Sequence, residues 1–145
     1  VARIRSEAPQ ITIAIVASNE ISDLHRGEAD IAIRHVRPDR PGLVGGHVCD
    51  TGAGFFASED WVARNGRPRG PADLANASLM GFEDPRFSGF LREIGIPIET
   101  TDFRIVSESS VAIWEMVKRG MGIAVMLRAV AERTPGNSIG LPALS

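Results

Sequence analysis

The strongest constraint on the fold is the regular alternation of short apolar runs with stretches of helical periodicity in the second half of the chain. The predicted elements are a strand over residues 79–82, a helix over 87–94, a strand over 103–106, a helix over 111–119, a strand over 123–127 and a helix over 128–133. Such alternation is typical of a parallel sheet whose strands are joined by helices. The sequence therefore predicts an α/β protein.

The beginning of the chain contains a shorter unit of the same kind. Residues 11–17 are apolar except for Thr12, which predicts a strand covered on both faces. Ser18 and Asn19 then offer side-chain oxygens that can cap a short helix. Residues 30–34 follow as a second short strand.

Prolines and glycines interrupt the pattern from residue 35 to residue 46, and we place a boundary between two lobes near His35. Strands are predicted over residues 44–49 and 53–57. A helix capped by Ser58 and stopped by Gly66 follows, and Pro71 begins another short helix.

Charge and cysteine content limit the functions open to this chain. Sixteen Lys and Arg against eighteen Asp and Glu give a net charge of −2, so this segment alone is not expected to bind DNA well. A single cysteine, Cys49, excludes an intramolecular disulfide and suits a reducing cytoplasm. No apolar run reaches the length of a membrane span and the first residues do not form a signal sequence, so the expected location is cytoplasmic.

Signals of enzyme chemistry are weak. Gly120 and Gly122 follow a predicted helix and precede a strand, the reverse of a dinucleotide-binding turn. His47 and Cys49 share a face of a predicted strand, but two ligands do not make a metal site. The only lysine, Lys118, lies late in a helix, away from the strand ends. We therefore expect no catalytic residues, no cofactor and no metal.

Polar residues after two predicted strands mark where a ligand would bind, because ligands of open parallel sheets collect at the carboxyl ends of strands. One group follows the strand ending at Val106, and the other follows the strand ending at Ala17. The first group contains Ser107, Glu108 and Ser109, and the second contains Ser18 and Asn19. Both groups also fit a simple role as helix caps.

Three further residues extend this candidate site. Arg34 and His35 lie at the proposed boundary, where the guanidinium of Arg34 would suit a carboxylate, although an arginine ending a strand is as often a surface residue. Phe82 would form an apolar wall, although a phenylalanine ending a buried strand is more often part of the core.

Three segments of the chain, in order, resemble the effector domain of LysR-type transcriptional regulators. Residues 27–48, GEADIAIRHVRPDRPGLVGGHV, resemble the segment that leaves the first lobe and enters the second. Residues 55–82, FFASEDWVARNGRPRGPADLANASLMGF, are similar to the strand, helix and loop of the second lobe. Residues 114–128, WEMVKRGMGIAVMLR, are similar to a late helix, its glycine turn and the next strand.

The resemblance implies the fold of type 2 periplasmic binding proteins, with two Rossmann-like lobes of mainly parallel strands and a hinge between them. It implies a small-molecule inducer in the cleft, assembly as a homodimer or homotetramer, and promoter binding through an N-terminal winged helix-turn-helix absent from this chain. By motif position, Ser18 and Asn19 match a polar loop that touches inducer, and Phe82 and Ser107–Ser109 fall on the facing lobe.

Compared with the family, residues 1–35 supply a fragment of the first lobe, residues 36–140 the second lobe, and residues 141–145 the start of the return to the first. An earlier strand and helix of the family have no counterpart here, which makes the fragment weakly stable by itself.

Two other functions fit the same fold. A solute-binding protein for uptake of a small organic anion would need secretion, and an enzyme would need a paired acid and base or a cofactor lysine in the cleft. The regulator is the preferred interpretation, and Arg34 together with the helix N-termini favours a small organic acid as inducer.

Overall fold

The computed structural model describes residues 1–17, 27–34, 42–134 and 139–140. The chain divides into two compact units, Val1–Ala32 and Ile33–Ser145, which are described separately. The lobe boundary near His35 stays a prediction, and His35 itself lies outside the described residues.

The described part of the first unit includes the helix α1 (Ala2–Glu7), on which the side chains of Arg3 and Glu7 pair at 2.8 Å. The strands predicted over residues 11–17 and 30–34 are wrong for this structure, because both stretches are irregular. Ile15 and Ile31 are 73% and 82% exposed. A strand exists only through hydrogen bonds to a neighbouring strand, and no described strand pairs with either stretch.

The second unit carries the predicted alternation of strands and helices. Its elements are β1 (Ala53–Ala57), α2 (Glu59–Asn65), α3 (Pro71–Asn76), β2 (Met80–Gly81), α4 (Pro85–Glu93), a 3-10 turn (Thr100–Asp102), β3 (Ile105–Val106), α5 (Ser110–Lys118), β4 (Ala124–Leu127), α6 (Arg128–Ala131) and β5 (Ile139–Gly140). The strand predicted over residues 44–49 is also wrong. That stretch is irregular, Val44 and Val48 are exposed, and none of the described strands pairs with it.

The helix boundaries follow from the caps that the sequence supplies. The Ser58 hydroxyl accepts a hydrogen bond from the backbone N–H of Trp61 at 3.1 Å, and Gly66 ends α2 with a φ of 81°. Pro71 and Pro85 occupy the first turns of α3 and α4, where the missing N–H costs nothing.

The described strands form two groups, which a single-residue bridge links. β2 and β3 pair in parallel, and β1 pairs antiparallel with both β4 and β5. A parallel bridge between Leu79 and Ile123 links the groups, with the Met80 N–H donating to the Ile123 carbonyl at 2.8 Å. The predicted parallel pairing is therefore confirmed for β2 and β3, whereas β1 runs against both of its neighbours.

Alternate residues of the strands point to opposite faces, and each face carries its own core. Phe55 of β1 packs with Trp61, Leu74 and Leu91 from α2, α3 and α4. Phe56, the next residue along, packs in the other core with α5 and α6. The sheet is thus covered by helices on both faces, as the apolar strand sequences require.

The bridge between the strand groups depends on a residue without a side chain. A Cβ added at Gly122 would overlap the Ser78 carbonyl oxygen, which itself accepts a hydrogen bond from the Ile123 N–H at 3.0 Å. Any larger residue would push the two backbones apart.

We therefore expect Gly122→Ala to lower the free energy of unfolding by about 1–3 kcal/mol, the usual cost of overpacking. The matched control is Gly89→Ala in the interior of α4, where an added Cβ meets no atom within 4 Å. Removing a glycine from a helix should stabilise the fold by about 0.5–1 kcal/mol. Urea denaturation measures both changes, and equal effects of the two variants would contradict the role given to Gly122.

Candidate ligand-binding edge of the sheet

Two of the predicted ligand residues lie side by side because their strands are parallel. Gly81 of β2 is opposite Val106 of β3, and the Ser107 N–H donates to the Gly81 carbonyl at 3.1 Å. Phe82 and Ser107 therefore leave the sheet at the same end. We call this region, formed by Phe82 and residues 107–109, the carboxyl edge.

The two serines of the carboxyl edge accept hydrogen bonds from the backbone around the start of α5. The Ser107 hydroxyl accepts from the Ser109 N–H at 3.1 Å, and the Ser109 hydroxyl accepts from the Ala112 N–H at 3.3 Å. The capping interpretation is thus correct for Ser109, the N-cap of α5, whereas Ser107 stabilises the turn before it. Each hydroxyl still has its own hydrogen to donate.

The first turn of α5 also carries donors that remain available. Within the part of the chain that the structure describes, the N–H groups of Ser110 and Val111 donate to no protein atom. Helix N-termini present such groups to anions, and the helix dipole favours negative charge there. Glu108 beside them is exposed, and its carboxylate makes the edge less favourable for an anion than the backbone alone.

Phe82 belongs to an aromatic cluster that connects the carboxyl edge with the core. Its ring, half-buried, meets Phe87 edge-on at 5.2 Å between centroids, and Phe87 stacks on Phe103 at 5.7 Å. Phe82 therefore packs against the aromatic residues next to the core and keeps some exposed surface at the edge, and its role as a ligand wall stays a prediction.

Asp84, two residues after Phe82, carries a shifted pKa. Its side chain caps α4 and accepts from Arg86 through both the guanidinium and the backbone N–H. The guanidinium hydrogen bond is the larger cause, and together these contacts lower the pKa of the Asp84 carboxyl below its usual value. The sequence contains the signal for this cap, an Asp directly before a proline, but the predicted start at Phe87 missed it.

The remaining predicted site residues are Ser18, Asn19, Arg34 and His35. Arg34 is described and half-buried. Ser18, Asn19 and His35 lie outside the described residues. The structure brings together Phe82, Ser107, Glu108 and Ser109, and the rest of the predicted set stays a prediction.

No group of three or more His, Cys, Asp or Glu side chains placed to hold a metal occurs among the described residues. His47 contacts Asp50 at 3.0 Å, and Cys49 is an exposed free thiol. Among the described residues, no helix combines the length and the apolar character needed to cross a membrane.

A sheet with helices on both faces and polar residues where parallel strands end is the architecture of an α/β ligand-binding lobe. The family model described as "LysR substrate binding domain" matches residues 1–141. The chain therefore belongs to the LysR substrate-binding domain family, and the resemblance found in the sequence is confirmed.

Curated relatives agree with this assignment. The chain is 30% identical over 84 residues to the HTH-type transcriptional regulator CrgA of Neisseria meningitidis serogroup B, a match that covers 58% of this chain and 28% of CrgA. CrgA of a serogroup C strain is 31% identical over 77 residues, covering 53% of this chain and 26% of that protein. The chain thus spans little more than a quarter of these relatives. They are transcriptional regulators, in line with the expectation that the chain is not an enzyme.

Solved structures support the fold. The CrgA regulatory domain from Neisseria meningitidis has a TM-score of 0.77 at 24% identity, covering 97% of this chain and 71% of that domain. Full-length AphB of Vibrio cholerae, a virulence activator, has a TM-score of 0.73 at 16% identity over 99% of this chain and 50% of AphB. The predicted type 2 periplasmic-binding-protein-like α/β fold, the fold of LysR regulatory domains, is confirmed.

The Asp84 cap gives a prediction for the pH dependence of this region. A carboxyl whose pKa is lowered by folding stabilises the folded state above its unfolded pKa, and this stabilisation is lost as the pH falls through the folded pKa. Arg86→Gln removes the main cause, so the pKa of Asp84 should rise towards its ordinary value. Carboxyl ¹³C NMR titration measures it. The control Arg92→Gln removes a cation of the same helix that pairs instead with Glu99, and should leave Asp84 unchanged.

Proposed function

We propose that this chain is the sensing part of a LysR-type transcriptional regulator, and that it binds a small-molecule inducer and passes the binding state to a DNA-binding domain. The observation that carries the proposal is the family match across residues 1–141, together with the carboxyl edge found where this fold type holds ligands. The proposal makes the protein a binding protein, without turnover of its ligand.

The proposed site lies between two lobes, with residues 36–140 as the second lobe and residues 1–35 and 141–145 as parts of the first. Phe82, Ser107, Glu108 and Ser109 would contribute from the second lobe. Four further residues would contribute from the first lobe and the hinge: Ser18, Asn19, Arg34 and His35. This division and this set rest on the family resemblance and on the placement of the carboxyl edge.

The chemistry of the carboxyl edge favours an inducer with an acid group and an apolar body. The two available N–H groups at the start of α5 and the serine hydroxyls suit a carboxylate, and the remaining surface of Phe82 suits an apolar group. Arg34 would add a guanidinium for the same carboxylate.

The regulator would act as a homodimer or homotetramer in the cytoplasm and bind promoter DNA. A net charge of −2 gives this segment no attraction for phosphate, so DNA binding is assigned to an N-terminal winged helix-turn-helix outside this chain. Two similar proteins support this proposal. CrgA is named an HTH-type transcriptional regulator. CbnR, whose structure matches 73% of this chain at a TM-score of 0.51, was solved in complex with its target DNA.

A thermal-shift screen of the full-length regulator tests the proposal. Small carboxylates, amino acids and aromatic acids form the panel, and a ligand at a hundred times its Kd should stabilise the fold by about 2.7 kcal/mol. For a domain of this size that is a rise in Tm of roughly 5–10 °C. No shift from any acid would contradict an acidic inducer, and conversion of a bound acid to product would contradict the non-enzymatic role.

A pair of variants places the binding at the carboxyl edge. Ser107→Leu puts a bulky side chain beside the first turn of α5 and should abolish the inducer-dependent shift while changing the ligand-free Tm little. The control is Thr101→Leu. Thr101 is an exposed residue of the 3-10 turn before β3, at the end of that strand opposite the carboxyl edge, so this variant should retain the full shift. Global unfolding of Ser107→Leu would show a purely structural role for this residue.

A further inference from the structure

The second unit contains a polar depression at the opposite end of β2 from the carboxyl edge. It has a volume of about 460 Å³ and is lined by α2, α3 and the loops that flank them. We call it the arginine basin; its lining includes Trp61, Asn65, Arg67, Arg69, Asp73 and Asn76. Its size lies in the range of small-molecule pockets, which is about 300–1,000 Å³.

The two arginines flank a buried proline and line the same depression. Residues 66–69 have no regular hydrogen-bonded structure, and Pro68 is buried, which anchors the middle of the loop. Arg67 and Arg69, one on each side of Pro68, both line the basin while being exposed to solvent. The basin thus concentrates positive charge on a chain whose net charge is −2.

The backbone N–H of Arg69 makes the contact that fixes this residue, and its side chain does not take part in that contact. Its N–H donates to the Asp73 carboxylate at 2.8 Å, which fixes the loop against the first turn of α3. Within the described ranges, the Arg69 guanidinium has neither an ion pair nor a hydrogen bond. An immobilised backbone with an uncommitted guanidinium is a suitable arrangement for an anion, since guanidinium groups bind carboxylates and phosphates in bidentate fashion.

The rest of the lining fits a polar molecule of metabolite size. The side-chain amides of Asn65 and Asn76 each donate one hydrogen bond to a carbonyl of their own helix, at 2.9 Å in both cases. Each amide oxygen and second N–H remains for a ligand's hydroxyl or carboxyl groups. Trp61, 5% exposed, and the buried Pro68 supply a rigid apolar floor.

We infer that the arginine basin is a second ligand site, separate from the proposed inducer site, that takes a small molecule with two or more acid groups, carboxylate or phosphate. The guanidinium groups of Arg67 and Arg69 line the same depression, so a ligand with two acid groups can contact both, whereas a ligand with one acid group can contact only one of them. Ser78 lines the basin before β2 and Phe82 lies at the carboxyl edge after it, and four residues of extended chain correspond to about 13 Å between the two sites.

The two tryptophans of this chain make the inference testable in the intact regulator. Trp61 lies in the floor of the basin, whereas Trp114 packs against Phe56 in the core on the other face of the sheet. In protein labelled with 5-fluorotryptophan, ¹⁹F NMR reports on each separately once Trp61→Phe and Trp114→Phe have assigned the signals. Citrate, inorganic phosphate and acetate are the probes, titrated at constant ionic strength so that general screening does not change.

Citrate, phosphate or both should shift the Trp61 signal in a saturable way and leave Trp114 unchanged, while acetate has little effect. Arg69→Gln should weaken binding about tenfold, the loss of a charge-assisted contact. Asp73→Asn keeps an oxygen for the Arg69 N–H but removes the negative charge, so it should strengthen binding. Arg92→Gln, whose side chain pairs with Glu99 on a different part of the surface, is the control and should bind as the parent does.

Several outcomes would overturn the inference: no saturable shift of Trp61 with citrate or phosphate, a response to acetate equal to that to citrate, or equal binding by Arg69→Gln and the parent. Ser107→Leu separates this site from the inducer site. If it abolishes the citrate response of Trp61, the basin is not a separate site. If the citrate response persists while no inducer is found, the basin stands and the proposed function fails.

Discussion

The close backbone contact between Ser78 and the Gly122–Ile123 segment holds the second unit together. It is the bridge between the parallel pair β2–β3 and the antiparallel group built on β1, and both faces of the resulting sheet are covered by helices. The bridged segments contribute to both cores: Leu79 and Ile123 lie in one core, and their neighbours Met80 and Ala124 lie in the other. Loss of the bridge would therefore disturb the packing on both faces of the sheet. The order of the strands, the position of α5 and therefore the carboxyl edge all depend on this contact. The two segments of the chain can approach so closely because Gly122 has no side chain.

Local signals in the sequence predicted the second unit well. The caps at Ser58 and Gly66, the prolines that begin helices and the apolar strand runs act over a few residues, and the helices and strands lie close to where these signals place them. The direction of β1 was not predictable in this way, since its partners β4 and β5 lie far along the chain and pairing direction is set by the complete fold. The irregular stretches of residues 11–17, 30–34 and 44–49 show the same limit: an apolar run becomes a strand only when another strand pairs with it.

The candidate site was only partly predictable for a related physical reason. Phe82 and Ser107–Ser109 come together because parallel strands end at a common edge, a rule that needs no knowledge of side-chain packing. The arginine basin gave no such signal, because a Gly-Arg-Pro-Arg loop resembles any solvated turn. What distinguishes it is the buried Pro68 and the hydrogen bond from the Arg69 backbone to Asp73, and both are features of the folded chain. Sites that depend on how a loop is anchored are found from structures and not from patterns.

The central position of β1 has a consequence for how the protein is made. β1 contributes Phe55 and Phe56 to opposite cores, yet its partners β4 and β5 are synthesised only after most of this chain has left the ribosome. Before β4 and β5 are available, both edges of this apolar strand are unpaired in a partly folded chain, and unpaired edges promote aggregation. Yield in cells should therefore depend on chaperones that shield emerging segments and on the rate of translation, even when the finished fold is stable.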